Sequence, residues 1–532
     1  MINYSCRLKP KEVFLSSGNF EDETQLLISR SLITKAIQQA FPALECFTTA
    51  EYKPLLQMPI IQALPPRRTV HATLGPIKHN EGTINGQYEV LNEFFCNQFK
   101  LHTHPARTNS SAMDIDDGVD WTNRLYLVYG DQKTAQLIRS VQSERTESIG
   151  SYDSYRWILA IPALFHLQMN LLWTIQSNFE GKQLCTDDSS LYHAKNILGR
   201  KHIPSERAPF HLVEELVEHS FNARIIGLLY VYLRRRGVLP NNLQQTNTSA
   251  EQTRLRYADA VQGYLQNLTV QQVTELVEEI RDNHFGLRLN SREEGDEEFE
   301  NHIHFLQVAE TYLVLKYAIK HADIGLLRRV IARCCYIFIG SGASNYANEL
   351  LRLHWLTSTD ACTPALQDAI LGNGLVNLRG KPDTWYPVDR LNEHLNLSLK
   401  ELLWARRNST FTVDHLFDTC TWSATYCQLI QGQVERTFGE HSDPKHTIRS
   451  RAEDLQTLGY NLARRSLIYQ QGRKSVFSPK NLVAKGESDL VSWVDKFNGR
   501  NEPSAIPSTL TSAELEDVGA DGLVIDAEEC MY

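Results

Sequence analysis

Apolar positions fall three and four residues apart along most of this chain, the spacing that lines one side of an α-helix. The pattern predicts helices over "ETQLLISRSLITKAIQQAF" (23–41) and "GQYEVLNEFFCNQF" (86–99). From about residue 180 helical segments follow one another: 210–236, 250–268, 269–284 and 297–321, then 325–339, 345–356, 387–407 and 412–438. An apolar stripe on each predicts an all-helical block over 181–340 with its own core.

Other stretches read as strands. "EVFLSS" (12–17) and "RTVHATLG" (68–75) are rich in β-branched and aromatic residues, and "GLVNLRG" (374–380) predicts a brief strand. The run Leu125 to Tyr129 stops at Gly130-Asp131, where a helical pattern begins. A second apolar run, 157–165, leads into the helical spacing of "LQMNLLWTIQSNF" (167–179). The polar segment 101–121 predicts an exposed loop.

These elements predict an α/β plus mostly α chain: a mixed core begun by residues 1–180, interrupted by the all-helical insertion 181–340. Residues 341–480 supply a closing helix and a helical C-terminal part, and 481–532 a linker and tail. Residues 501–532 carry eight acids and no Lys or Arg, which predicts a disordered, solvated extension. No internal repeat of fixed period is visible, against a regular solenoid.

Composition narrows the classes. A length of 532 residues provides two to four domains' worth of core, and 42% hydrophobic with 22% charged residues is ordinary for a globular protein. A net charge of -9 excludes a protein that coats nucleic acid indiscriminately, while leaving local basic patches open. The ten cysteines form no CxxC pair, which predicts reduced, mostly buried thiols. "INYSCRLKPKEV" after Met1 has no apolar signal core, and neither 157–173 nor 225–233 makes a span of about 20 apolar residues. The reading is an intracellular protein, nuclear or cytoplasmic, without a membrane partner. No GxGxxG or GxxxxGK[ST] cradle occurs, so no nucleotide cofactor is expected.

The candidate chemistry centres on Asp131. Its carboxylate would either cap the helix starting at Gln132 or hold a metal ion. Glu349 in "NYANELL" is either an exposed helical acid or a ligand, and His166 either a hydrogen-bonded core histidine or a ligand. Arg234, Arg235 and Arg236 end a long helix, where cations complement the dipole; the other reading is DNA contact. Arg464 and Arg465 lie in a basic stretch (449–480) with interleaved Tyr and Phe, which suits a solvated helix face or phosphate contact with stacking.

"YGDQKT" (129–134), "IPALFHLQMN" (161–170), "SNYANELL" (344–351) and "WYPVDRLNEHLNLSLKELL" (385–403), taken in order, resemble a large uncharacterised fungal family, domain of unknown function 6589. The resemblance runs from the first strand to about residue 470. The layout also resembles Mutator-like and hAT transposases, whose ribonuclease-H-like core carries an acid at a strand end, a His-bearing helix, a helical insertion and a late glutamate. That likeness implies two divalent ions, Mg²⁺ or Mn²⁺, roughly 4 Å apart, with Asp131 and Glu349 as ligands and DNA as a partner. Such nucleases place an Asp on the opening strand, where this chain has Gly18-Asn19. Asp22, or Glu21, is the nearest substitute for that catalytic acid.

Two functional expectations follow. The first is a transposase-derived protein whose metal-dependent phosphodiester chemistry is degenerate or lost; if active, it would be an Mg-dependent nuclease or strand transferase. The second is a non-catalytic helical scaffold or protein-interaction protein.

Overall fold

The computed structural model describes residues 2–17, 22–99 except 45, 46, 48, 73 and 76, and then 124–148, 153–182, 187–240, 250–282, 295–404 and 451–500. The first segment is helical: α1 (Pro10–Ser17), α2 (Glu23–Ala40), α3 (Lys53–Leu56) and α4 (Ile84–Asn92), the last continued by a π-helical turn over Glu93–Gln98. Strand β1 (Tyr126–Gly130), helix α5 (Gln132–Glu144) and strand β2 (Ile158–Pro162) form a βαβ unit. The strands pair in parallel, Tyr126 with Ile158 through Gly130 with Pro162.

Helices α6 (Leu164–Phe179), α7 (Leu191–Ile197), α8 (Phe210–Arg235), α9 (Ala250–Leu265), α10 (Val270–Ile280), α11 (Glu297–His321), α12 (Ile324–Ser341), α13 (Ser344–Ser358) and α14 (Pro364–Gly372) follow. A two-residue hairpin, β3 (Leu375–Val376) with β4 (Tyr386–Pro387), leads into α15 (Val388–Trp404). Beyond residue 450 lie α16 (Arg451–Arg465) and α17 (Leu482–Arg500).

Capping chemistry sets several of these boundaries. Asp22, Asp296 and Asp323 accept backbone N–H bonds in the first turns of α2, α11 and α12, and Thr269 with Gln272 forms a reciprocal capping box on α10. Gly342 ends α12 with φ 84°, a left-handed conformation that costs a glycine little.

The main core is continuous from Leu8 to Phe497. It joins α2 and α6 to the long helices α8, α11 and α12, so the block expected to own a separate core shares one with both flanks. Most residues of helices α8 and α12 are buried because neighbouring helices pack on several of their sides. Two glycine pairs let backbones touch. A methyl group at Gly340 on α12 would collide with the Leu482 carbonyl, and one at Gly486 on α17 with the Tyr336 carbonyl. Gly227 on α8 faces Gly459 on α16 in the same way, with Leu467 closing over it.

A smaller core, including Leu91, Phe95, Ile138, Trp157 and Ile158, fills the space between α4, α5 and one face of the strand pair. Helix α13 packs on β2 and α5.

Several elements differ from their sequence expectation. Residues 12–17 are helical, with Val13 buried against the region where α1 meets α12. Residues 68–75 form no strand at the described positions. Residues 482–500, expected as linker, are helix α17 packed on α12. The mixed core expected for a ribonuclease-H-like layout is represented, among the described residues, by two two-stranded sheets within a mostly helical body. The loop 101–121, the helix 412–438 and the tail 501–532 lie outside the described residues. Among the described residues no helix is long and apolar enough to cross a membrane.

Candidate functional site at the carboxyl ends of the parallel strands

The carboxyl ends of β1 and β2 point the same way, the edge at which open α/β units present polar groups. Gly130 closes β1 because a side chain there would meet Thr134 at 2.8 Å. Its carbonyl accepts the Ala163 N–H at 2.8 Å, which locks the two strand ends together. Asp131 follows with ψ 176°, and its Oδ1 accepts the Thr134 backbone N–H at 2.6 Å. Asp131 thus caps α5. Glu81 lies close by; burial and then the Asp131 charge raise its carboxyl above the usual range.

After β2, helix α6 starts behind Ala163, which has no side chain able to cap. Asp389, in the first turn of α15, does this from 224 positions away: Oδ1 accepts the Phe165 N–H at 3.1 Å and Oδ2 the His166 N–H at 3.0 Å. The same Oδ2 stands 3.0 Å from His166 Nδ1. Burial pushes the His166 imidazole toward neutrality. The Asp389 hydrogen bond and charge, with Asp131 and Glu393 beyond, outweigh that and raise its pKa.

Helix α13 brings the last members. Asn170 Nδ2 donates to the Tyr346 hydroxyl at 2.7 Å. The Tyr346 phenol is pushed up by burial first and then by the charges of Asp131, Asp389 and Glu349. Those three carboxylates therefore lie within electrostatic reach of one partly buried ring, although they come from distant parts of the chain. Glu349 is buried and ion-paired with Arg139 of α5. Its Oε2 and the Arg139 Nη1 are buried without a hydrogen bond. Arg352 sits beside them, pushed down to about 10 by burial and by the Arg139 charge.

The structure thus joins Asp131, His166 and Glu349 in one polar region and adds Asp389, Tyr346 and Asn170, which sequence reasoning missed. Asp389 carried no local signal; the uncapped start of α6 behind Ala163 was the available hint. Asp22 is engaged elsewhere. It caps α2 and forms a two-pronged pair with Arg329 at 2.9 and 2.7 Å, and the Arg329 hydrogen bond lowers its carboxyl pKa. Gly18, Asn19 and Glu21 lie outside the described residues.

The donor set does not fit a two-ion cage. Asp131 Oδ1 caps one helix, both Asp389 oxygens cap another, and Glu349 Oε1 pairs with a guanidinium, so the three acids are engaged separately, where a two-ion cage would need them to share ligand oxygens. Among the described residues no group of three or more His, Cys, Asp or Glu side chains is arranged to hold a metal ion.

The basic residues singled out in the sequence lie where α8 meets α16, and most bind within the chain. Arg234 donates to the Ala463 carbonyl at 3.2 Å, and Arg236 pairs with Glu279 at 2.8 Å. Arg464 stands over the Tyr460 ring, and Arg465 lies 3.8 Å from Asp188. Arg235 is exposed.

These features define a mostly helical protein with, among the described residues, one βαβ unit, near which acids from distant parts of the chain gather. Residues 9–446 match the family of unknown function DUF6589, and the chain belongs to that family. No curated protein and no solved structure matches it.

Proposed function

We propose that this chain is a transposase-derived protein that has lost metal-dependent phosphodiester chemistry and keeps a nucleic-acid-related role. One observation carries the reading. Helix α13, reached only after the long helical block, returns Glu349 to the βαβ unit, where it pairs with Arg139 of α5, the helix that Asp131 caps. An arginine paired with Glu349 accounts for a buried acid on the βαβ unit without catalysis. The ribonuclease-H-like ancestry of the strand pair belongs to this proposal.

The test is a thermal melt of the full chain with and without Mn²⁺, alongside Asp131→Ala. Metal that binds only the folded state raises the melting temperature by mass action. The expected result is no Mn²⁺-dependent shift in wild type and no cleavage of a DNA duplex. An Mn²⁺-dependent rise that disappears in Asp131→Ala would overturn the claim of lost metal binding.

A second reading, a non-catalytic helical scaffold, is favoured by the capping roles of Asp131 and Asp389, which give both acids structural work. Absence of any DNA or RNA binding by the full chain would favour it over the first.

A further inference from the structure

The chain crosses the turn between α11 and α12 as an extended strap. Asp323 accepts the N–H groups of Ile61 at 2.7 Å and Gln62 at 2.8 Å; Leu64 donates to the Ala322 carbonyl and Ile324 to the Gln62 carbonyl. The strap continues through Pro65 and Pro66 to Arg67 and Arg68, both exposed. It then docks on the β3–β4 loop: Thr69 N–H donates to the Asn377 carbonyl at 2.8 Å, and Asn377 N–H to Thr69 Oγ1 at 2.9 Å.

That loop is as firmly held. Buried Asn377 accepts from Gly380 N–H at 2.7 Å and Thr384 Oγ1 at 2.9 Å, and donates to the Lys381 carbonyl at 2.8 Å. Gly380, with φ 65°, lets the loop approach the strap so closely that an added Cβ would meet the Arg68 backbone N at 3.1 Å. Arg67, Arg68, Arg379 and Lys381 are therefore exposed cations on two main-chain segments fixed side by side. Lys320 at the end of α11 adjoins them, its carbonyl accepting the Trp385 N–H. Lys35 on α2 is pushed down to about 8, by burial first and then by the Lys320 charge. The acid in this loop, Asp383, is taken by His321 at 2.5 Å. No carboxylate pairs with Arg67, Arg68 or Lys381 among the described residues.

We propose that the strap and the β3–β4 loop form one phosphate-binding surface for a nucleic-acid backbone, contacted by Arg67, Arg68, Arg379 and Lys381. This deepens the nucleic-acid reading above and rests on it. Three guanidinium forks match phosphate oxygens in pairs, and proline and main-chain hydrogen bonds fix the segments before any ligand arrives. The chain as a whole is acidic, so backbone contact needs a local cluster of cations such as this one.

The test uses the full chain, a short fluorescein-labelled DNA duplex and fluorescence anisotropy across a salt series. Replacing Arg67, Arg68, Arg379 and Lys381 by Ala should weaken binding at low salt by roughly tenfold or more. It should also make the salt slope shallower by about 3 to 4, since each phosphate contact contributes about 0.9. A control with Lys485, Lys496 and Arg500 replaced by Ala removes charge from α17 and should bind like wild type. Circular dichroism checks that each variant is folded. Unchanged affinity and slope in the first variant would overturn this surface while leaving nucleic-acid binding standing. Failure of wild type to bind duplex or single strand would overturn both.

Discussion

His166 Nδ1 and an Asp389 carboxylate oxygen lie 3.0 Å apart, and the same oxygen accepts the His166 backbone N–H. One side chain thus caps α6 and holds an imidazole. Because the folded-state pKa of His166 is raised, the stabilisation from this pair is full below about pH 6.5 and fades as pH rises through the folded value. Asp389→Asn should lose that term and part of the cap, the cap alone being worth about 0.5–2 kcal/mol. Urea unfolding should show a larger gap to wild type near pH 6 than near pH 8.5. An equal gap at both would remove the charge linkage and leave only the cap.

Glu349 and Arg139 make a second test. Either Glu349→Leu or Arg139→Leu strands a buried charge and should cost about 3–5 kcal/mol. The double substitution should cost clearly less than the sum, because both charges leave together. A strictly additive double-mutant cycle would mean the two groups do not depend on each other.

His354 on α13 is fully buried, with neither ring nitrogen hydrogen-bonded. Burial pushes it down to about 4. The unfolded chain protonates near pH 6.5 and the folded one only near 4, so this residue drains stability as pH falls between those values, by up to about 3 kcal/mol. His354→Leu should flatten the acid limb of the stability curve and raise the melting temperature near pH 5. A curve parallel to wild type would contradict the assignment.

The glycine contacts give the sharpest packing expectation. Gly340→Ala or Gly486→Ala forces α12 and α17 apart where their backbones touch, and overpacking of this kind costs about 1–3 kcal/mol or more. Gly499→Ala, with open space around its Cα, serves as the control and should be near neutral. Thermal melts of the three variants decide it.

What the sequence revealed depended on how local the cause was. The Gly130-Asp131 step was legible because strand, tight turn and cap are encoded within a few residues. The helices 23–41 and 297–321 were legible from periodicity. The segment 12–17 misled, because its β-branched and aromatic composition favours a strand only where a neighbouring strand can pair with it. Here α1 instead packs against α12, and Pro10 at the first helical position was the overlooked signal. The partnership of Asp389 with α6 was out of reach, since it depends on which element the fold brings to an uncapped helix start. The phosphate-binding face proposed for Arg68 and Lys381 was hidden for the same reason: the two residues become neighbours only through Asn377 and Thr69.

The family match stops at residue 446, whereas the glycine seams on α8 and α12 are closed by helices that begin at residue 451 and end at residue 500. Shortening the chain to the family boundary would strip both helices of their lids and leave long leucine- and isoleucine-lined troughs open to water. Such a fragment should be recovered as aggregate or as a chaperone client, and an activity assay on it would report misassembly rather than the chemistry of the site.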